Sequence, residues 1–423
     1  MSEYLHVEKP FLTQLAELGW TVIDQGVGVI PSDPAPSLRT SFREWLLPDV
    51  FRAAVRRINT TDDGKPWLTD RQLDELRDQI LRQPNRTLLE ANEAIQALLF
   101  KTQVDTNEVT GEQDPVVKLI DFANPTNNQF HAINQFRIDT PGCVKQFIIP
   151  DIALFVNGIS LAVVECKLGG PTCANPMHEA FVQLQRYRNA RLATHEVGLR
   201  EGEPRLFHTN LLLIRTSGAE ADFGTLTSGE EHFYAWKTLW PDNDKGLDKL
   251  NPQQRLIQGM LSKQNLLSIL RTCAVFKDTD DGKRIKVVAR YQQFRAACKV
   301  IERLQKGATS TDRSGVVWHT QGSGKSLTMV FVARMLRASQ NLQDFKILLI
   351  NDRIDLEEQL GRTAKLIGGK VNVIESTQAL RRHLATDSSD VNMVMVHKFH
   401  ERQETLTPHV AEALGTYRAM PAS

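Results

Sequence analysis

The sequence predicts an α/β protein: a mixed sheet flanked by helices, followed by a second unit built on a parallel sheet. Three observations lead there. Two apolar runs, 148-IIPDIALFV-156 and 159-ISLAVVECKL-168, are joined by Asn157-Gly158, a strong signal for an antiparallel hairpin. From residue 290 the texture alternates helix, strand, loop, helix, strand, as parallel strands joined by crossover helices do. The 423 residues exceed the roughly 250 to 300 at which a single core stops growing, so more than one domain is expected.

In 8-EKPFLTQLAELGW-20, Phe11, Leu12, Leu15 and Leu18 recur at helical spacing and Gly19 ends the pattern. After the Pro-rich turn 31-PSDPAPS-37, helices are expected at about 42 to 58 and at 69-TDRQLDELRDQIL-81, the latter capped by Thr69 or Asp70. Residues 101 to 147 are polar and loop-rich, with strand-like pieces near 116-VVKLIDF-122 and 131-HAINQFRI-138. The hairpin follows, then a helix, 178-HEAFVQLQRYRNARL-192, and an apolar strand, 206-LFHTNLLLIRT-216, which completes a first domain over 1–245. The Asp-, Asn-, Pro- and Lys-rich run 241-PDNDKGLDKLNPQQ-254 reads as a linker. Helical Leu261, Leu266, Leu267 and Leu270 then lead to the polar turn 276-FKDTDDGKRIK-286, so 246–285 is expected to connect two domains. In the second, 286–423, helices are expected at 290–304 and 326–338, and strands at 315-GVVWH-319, 345-FKILLIND-352 and 391-VNMVMVHKF-399.

Charge and composition exclude several classes. With 51 basic against 50 acidic residues the formal charge is +1, so no bulk positive field advertises nucleic acid or an anionic membrane, and any DNA contact must be local. Five widely spaced cysteines without a Cys-x-x-Cys pair read as reduced thiols in the cytoplasm. The N-terminus lacks a basic segment followed by an apolar core, and no run approaches 18 apolar residues, so neither export nor a membrane span is expected.

The run 316-VVWHTQGSGKSLTMVFVARML-336 places a glycine-containing loop between an apolar segment and an amphipathic helix. Such a loop aims backbone N–H groups and a helix N-terminus at an anion. Thr320, Gln321, Gly322, Ser323 and Gly324 would cradle phosphates, Lys325 would reach the β- and γ-phosphates of ATP, and Ser326 would hold Mg²⁺. The pattern G-x-x-x-x-G-K-[ST] wants Gly where His319 stands, so the match is incomplete, but the apolar strand before the loop and the helix after it are the context that supports it, with a glycine-rich turn and a solvated Lys as the alternative. No acid suited to hold the metal from a neighbouring strand is found: Asp352 reads as a helix cap or a nucleic-acid-side feature, and no Asp-Glu follows the strand at 391–399. A lobe truncated before that acid is therefore expected, with no ATP hydrolysis by this chain alone.

Asp151, Glu165 and Lys167 interrupt the apolar hairpin. Glu165 and Lys167 alternate along one strand and share a face, and Asp151 begins its partner. Two acids converging on a metal can act on a phosphodiester, with the Lys supplying positive charge. A cross-strand ion pair at a solvated sheet end is the alternative. A strict two-residue Asn157-Gly158 turn would put the two carboxylates on opposite faces, whereas a three-residue loop or a compensating bulge brings them together. An odd loop or a bulge is expected, with positive φ at Gly158. On the next helix Gln183 and Tyr187 share a face, and Arg186, Arg188 and Arg191 can meet phosphates or merely form a solvated face.

Together, Pro150-Asp151, Glu165-Cys166-Lys167 and Gln183-x-x-x-Tyr187 resemble the PD-(D/E)xK nuclease of the RecB-like group. The run 318-WHTQGSGKSLTM-329 resembles the first helicase motif of the R (restriction and motor) subunits of type I restriction-modification enzymes, in which His at the position of His319 is usual. The stretch 290-RYQQ-293 resembles the adenine-reading Q motif, with Gln293 as reader, and 351-NDRIDLEEQL-360 resembles motif Ia. The segment 394-VMVHKF-399 is similar to motif Ib but lacks its usual threonines. The opening helix is similar to the family's own, whose Glu supports the metal site, and the resemblance gives that role to Glu8.

The resemblance implies a PD-(D/E)xK endonuclease domain joined to part of a RecA-like superfamily 2 lobe. It implies Mg²⁺ held by Asp151, Glu165 and Glu8, with Lys167, Gln183 and Tyr187 completing the catalytic set, and ATP at the phosphate loop. The expected partners are double-stranded DNA and the modification (methyltransferase) and specificity subunits. A repair or phage-defence helicase-nuclease outside type I systems, and a catalytically silent assembly module, are the alternatives.

Overall fold

In the computed structural model of the protein, residues 2–171, 173–190, 199–242, 244–351, 361, 364–368, 371–374, 376–386 and 388–395 are described. The chain divides into two compact units, Met1–Tyr291 and Gln292–Ser423.

In the first unit a π-helical turn, Tyr4–Glu8, runs into α1 (Lys9–Glu17), which buries Phe11, Leu12 and Leu15. Gly19, at φ 78°, then turns the chain into β1 (Thr21–Ile23). Helix α2 (Pro48–Ile58) starts at Pro48 rather than near 42, because proline favours the first helical position and holds Leu47 extended. Helix α3 (Asp70–Leu81) opens on a Thr69/Gln72 capping box, and α4 (Leu88–Phe100) on a Thr87/Glu90 box. The second of these helices is not among those that the sequence predicts. Its buried face carries Asn92 and Gln96, whose amides donate to the carbonyls of Phe207, His208, Asn210 and Ala274, so the apolar period is broken where the helix is most buried.

Two-residue ladders, β2 (Thr102–Gln103) with β3 (Val116–Val117), replace the longer strand expected near 116–122. Then come β4 (Phe130–Asn134), the short pair β5 (Ile138–Asp139) and β6 (Phe147–Ile148), and the hairpin β7 (Ile152–Val156) and β8 (Ile159–Cys166). Helix α5 (Pro176–Tyr187), capped by Asn175, leads to β9 (Leu212–Thr216) and β10 (Ala221–Gly224). The main sheet runs β1-β4-β7-β8-β9-β10. Its β1/β4 and β8/β9 pairs are parallel and the others antiparallel, a mixed sheet with α5 across β8 and β9. Helices α6 (Pro252–Met260) and α7 (Lys263–Thr272) follow, α6 packing on α1 and β10. The polar turn near 279–283 is the tip of a further hairpin, β11 (Ala274–Asp278) and β12 (Arg284–Val288).

Every residue of β7 and β8 is buried. At the tip, Asn157 (φ 50°) and Gly158 (φ 76°) form the turn. The Asn157 amide donates to the Leu119 carbonyl at 2.9 Å and to Asn128 Oδ1 at 2.8 Å, and its Oδ1 accepts from the Gln129 N–H at 2.8 Å. The Gly158 carbonyl accepts from the Leu47 N–H at 2.9 Å, so the tip docks on the start of α2. A Cβ on Gly158 would lie 2.5 Å from the Leu47 carbonyl oxygen, at a backbone angle only glycine adopts freely. Gly158→Ala is expected to cost about 1–3 kcal/mol or more of stability. Unchanged urea unfolding in that variant would refute the docking.

The second unit contains the helix α8 (Tyr291–Lys306) from Gln292 onward, a single turn α9 (Ser310–Arg313), α10 (Lys325–Ala338), β13 (Ile347–Asn351), β14 (Val371–Ile374), α11 (Thr377–Ala385) and β15 (Val391–Met395). The three strands form a parallel sheet in the order β13-β15-β14. Residues 315–319 are not the strand expected of them: among the described residues none pairs with this backbone, and Val316 and Trp318 are 89% and 88% exposed. An apolar extended segment becomes a strand only with a ladder partner. Arg191, Asp352, the rest of 352–360 and residues 396–399 lie outside the described residues. No described helix is long and apolar enough to cross a membrane, and all five cysteines are free thiols.

Candidate active site

The hairpin meets the condition set by its acids through a bulge. Val156 pairs with Ile159, a two-residue turn, but Leu154 pairs with Ala162 and Phe155 with Ser160, which leaves Leu161 as an extra residue in β8. Beyond it Ile152 pairs with Val164, so Asp151 falls opposite Glu165 on one face. The three-residue loop does not form. The bulge does its work.

Between the acids stands Lys167. Its Nζ donates to Glu165 Oε1 at 2.5 Å and to the Cys166 carbonyl at 2.9 Å, and lies 3.8 Å from Asp151 Oδ2. Asp151 Oδ2 also accepts from the Cys166 N–H at 2.7 Å. Burial pushes the Glu165 carboxyl up to about 8, helped by the Asp151 charge and resisted by Lys167. Burial likewise raises Asp151 to about 6. For Lys167 burial pulls down, but the Glu165 and Asp151 carboxylates outweigh it and hold its pKa above the ordinary value.

Glu8 comes from the far end of the sequence. It is 2% exposed, and its Oε1 accepts from Asn134 Nδ2 at 2.8 Å, with Gln135 Nε2 at 3.4 Å from both oxygens. Burial, then the charge of nearby Asp151, raises it to about 7. Tyr187, at the end of α5, donates its hydroxyl to the Ile149 carbonyl at 3.0 Å. Burial, then the nearby Glu165 and Asp151 charges, pushes its pKa up, and Gln183 one turn back pulls against them. With that hydroxyl committed to Ile149, Glu165 Oε2 is buried with no partner. The structure thus brings Asp151, Glu165, Lys167, Glu8, Gln183 and Tyr187 together.

Three residues at this site carried no signal in the sequence. Glu3 Oε2 accepts from the Leu168 N–H at 2.9 Å, and its Oε1 lies 3.9 Å from Lys167 Nζ. Asn134 and Gln135 fix Glu8 across more than a hundred residues of chain. No local spacing connects such distant positions.

Among the described residues no group of three or more His, Cys, Asp or Glu is arranged to hold a metal ion. The donors nevertheless suit a hard divalent cation: they are carboxylate oxygens, one of them buried without a partner, in a cluster whose carboxyls burial holds above their ordinary values.

In the second unit Gly322 and Gly324 adopt φ 76° and 81°, turning the loop into the N-terminus of α10. Thr320, Gln321 and Lys325 are exposed, while Ser323 and Ser326 are half-buried. Ser323 Oγ donates to the Thr320 carbonyl at 2.7 Å. Gln293 is buried, and its amide donates to the Ser323 and Gly324 carbonyls at 3.3 and 3.2 Å, bracing the loop from behind.

Residues 1–232 match the family described as "Type I restriction enzyme R protein N terminus", and residues 292–416 match "SWI2/SNF2 ATPase". The chain is 29% identical over 411 residues to the "Type I restriction enzyme HindI endonuclease subunit" of Haemophilus influenzae, covering 94% of this chain and 36% of that protein. It is 26% identical over 420 residues to the "Putative type I restriction enzyme MjaIXP endonuclease subunit" of Methanocaldococcus jannaschii, covering 94% and 37%. The chain therefore spans little more than a third of the length of these relatives. Because the first match takes in more than half of its 423 residues, the chain belongs to the type I restriction enzyme R protein family.

Proposed function

We propose that the chain carries the DNA-cleaving part, and a portion of the DNA-translocating motor, of a type I restriction endonuclease. The observation that carries this reading is the Asp151–Glu165–Lys167 arrangement: two carboxylates on one face of a bulged hairpin with an ammonium between them. The mixed sheet with α5 across it supports a PD-(D/E)xK nuclease fold over 1–245, with 246–285 as connection. The parallel sheet and phosphate loop support a RecA-like first lobe over 286–423. Both relatives are named as endonuclease subunits.

In this reading Asp151 and Glu165, supported by Glu8, would hold Mg²⁺, which supplies charge stabilisation to the attacked phosphodiester. Lys167 presents positive charge to the attacking water and the phosphate oxygens, at a position fixed by Glu165 and the Cys166 carbonyl. Tyr187 and Gln183 shape the site from α5 and keep water from its buried side. Modification and specificity subunits would supply the recognition sequence, with double-stranded DNA as substrate. The free thiols accord with the cytoplasm.

A plasmid-nicking assay with Mg²⁺ tests the reading. Wild type is expected to cut, and Asp151→Ala to lose at least about a hundredfold in rate. Equal cutting by both proteins would sink it. At the phosphate loop ATP is expected to bind through Thr320–Ser326, with Gln293 as the adenine reader. Lys325→Ala should weaken binding by about tenfold or more, as one charge-assisted phosphate contact does. Calorimetry giving the same affinity for both proteins would remove ATP from this loop.

A further inference from the structure

A cleft of about 500 Å³ lies at the C-terminal end of α5, lined by Thr140, Cys143, Arg188, Arg200, Glu203 and Arg205 among others. It begins one residue after Tyr187. Its walls are tied to that tyrosine: the Glu203 N–H donates to the Tyr187 carbonyl at 2.8 Å, and Asn189 Oδ1 accepts from the N–H groups of Glu201 and Gly202 at 2.9 and 2.7 Å. Gly202 passes so close that a Cβ there would lie 2.1 Å from the Tyr187 carbonyl oxygen. The cleft and the carboxylate site are thus held by opposite ends of one residue.

Among the described residues, charge in the cleft does not balance. Glu203 takes up Arg205, accepting from its Nε at 2.9 Å and its terminal nitrogen at 2.6 Å. Nearby Lys145 and Arg186 lie 3.4 and 3.8 Å from Glu201. Among the described residues Arg188 and Arg200 have no carboxylate partner. Arg188 donates, among the described residues, to neutral oxygens, the Leu226 carbonyl and Gln185 Oε1, and its Nε is buried without an acceptor there. Burial pulls its pKa down to about 10. A guanidinium taken out of water without an anion is costly, and a phosphate, which arginine meets with paired N–H donors, would supply what is missing.

We propose that this cleft seats a backbone phosphate of the DNA strand being cut, held by Arg188 from within and Arg200 at the mouth. The proposal rests on the nuclease reading and adds to it a second point of hold on the strand, next to the cutting site. Such a contact fixes the position of the strand and carries no sequence information.

The test is binding of the full chain to a labelled duplex of about 20 base pairs, followed by anisotropy without divalent metal from about 50 to 200 mM salt. Arg200→Glu, at an exposed position, and Arg188→Met are each expected to weaken binding about tenfold and to reduce the salt slope by about one. The same charge reversal at Lys283, on the exposed β11–β12 turn, should leave binding within about twofold. Inorganic pyrophosphate should compete with DNA in wild type and lose that competition in Arg200→Glu. Unchanged affinity and slope in both arginine variants would overturn the proposal, as would pyrophosphate binding at the cleft with no effect on DNA. Failure of wild type to nick plasmid would count against the nuclease reading alone, since binding is read without metal.

Discussion

Lys167→Ala is expected to reduce Mg²⁺-dependent cutting by about 10²–10³-fold or more, while leaving the protein folded and able to bind the metal. The ammonium lies 2.5 Å from Glu165 Oε1 and 3.8 Å from Asp151 Oδ2, so it compensates the same charges that a metal would. It is not itself a ligand. Its removal leaves the two carboxylates less compensated and more avid for a divalent cation, while the phosphate loses its positive neighbour. Plasmid nicking and calorimetric Mg²⁺ titration, run on the same preparation, separate these effects. A variant that neither cuts nor binds metal would make Lys167 a structural clamp.

Glu165→Gln is expected to abolish cutting and yet stabilise the metal-free protein at alkaline pH. Glu165, Glu8 and Asp151 stand at about 8, 7 and 6, each raised by burial above its ordinary value. A carboxyl raised in the folded state binds more protons folded than unfolded, so stability falls as pH climbs from about 4 to about 8. Glutamine keeps an oxygen for Lys167 and carries no charge to desolvate. The variant should therefore match wild type near pH 4 and melt about 5 °C or more above it at pH 8, a margin that Mg²⁺ closes by stabilising wild type alone. Parallel melting curves across the whole pH range would mean that Glu165 is not ionised at a cost.

What was legible in the sequence divides along physical lines. Helix α3 announced itself because Thr69 caps it and Leu73, Leu76 and Ile80 are its buried side. Helix α4 did not, since its buried face holds Asn92 and Gln96, whose partners lie in strands and turns more than a hundred residues away. The turn at Asn157-Gly158 was readable from two residues, and the need for a bulge followed from the acids. Its place at Leu161 did not, because an apolar residue among apolar neighbours gives no sign of which one is unpaired. The strand expected at 315–319 had the right composition and has no ladder partner among the described residues, which composition cannot supply. Asp151, Glu165 and Lys167 could be grouped because one hairpin holds them, whereas Glu3, Asn134 and Gln135 enter from separate segments.

The unpaired Leu161 gives β8 a particular inheritance. Loss of its codon would restore a regular ladder to the hairpin, by backbone standards an improvement. The same deletion would leave the later pairs as they stand, Leu154 with Ala162 and Ile152 with Val164, and would keep Glu165 opposite Asp151, whereas one residue inserted in the strand would turn Glu165 and Lys167 half a revolution and carry two charges into the core. Substitutions along this strand can be sampled one at a time, each with its own modest effect. Changes of length are asymmetric, since a codon lost between Gly158 and Glu165 is absorbed by loss of the bulge, while a codon gained there slips every later residue unless a second bulge takes it up. A lineage carrying this hairpin is free to vary its letters and to shed one residue, and is bound not to add one.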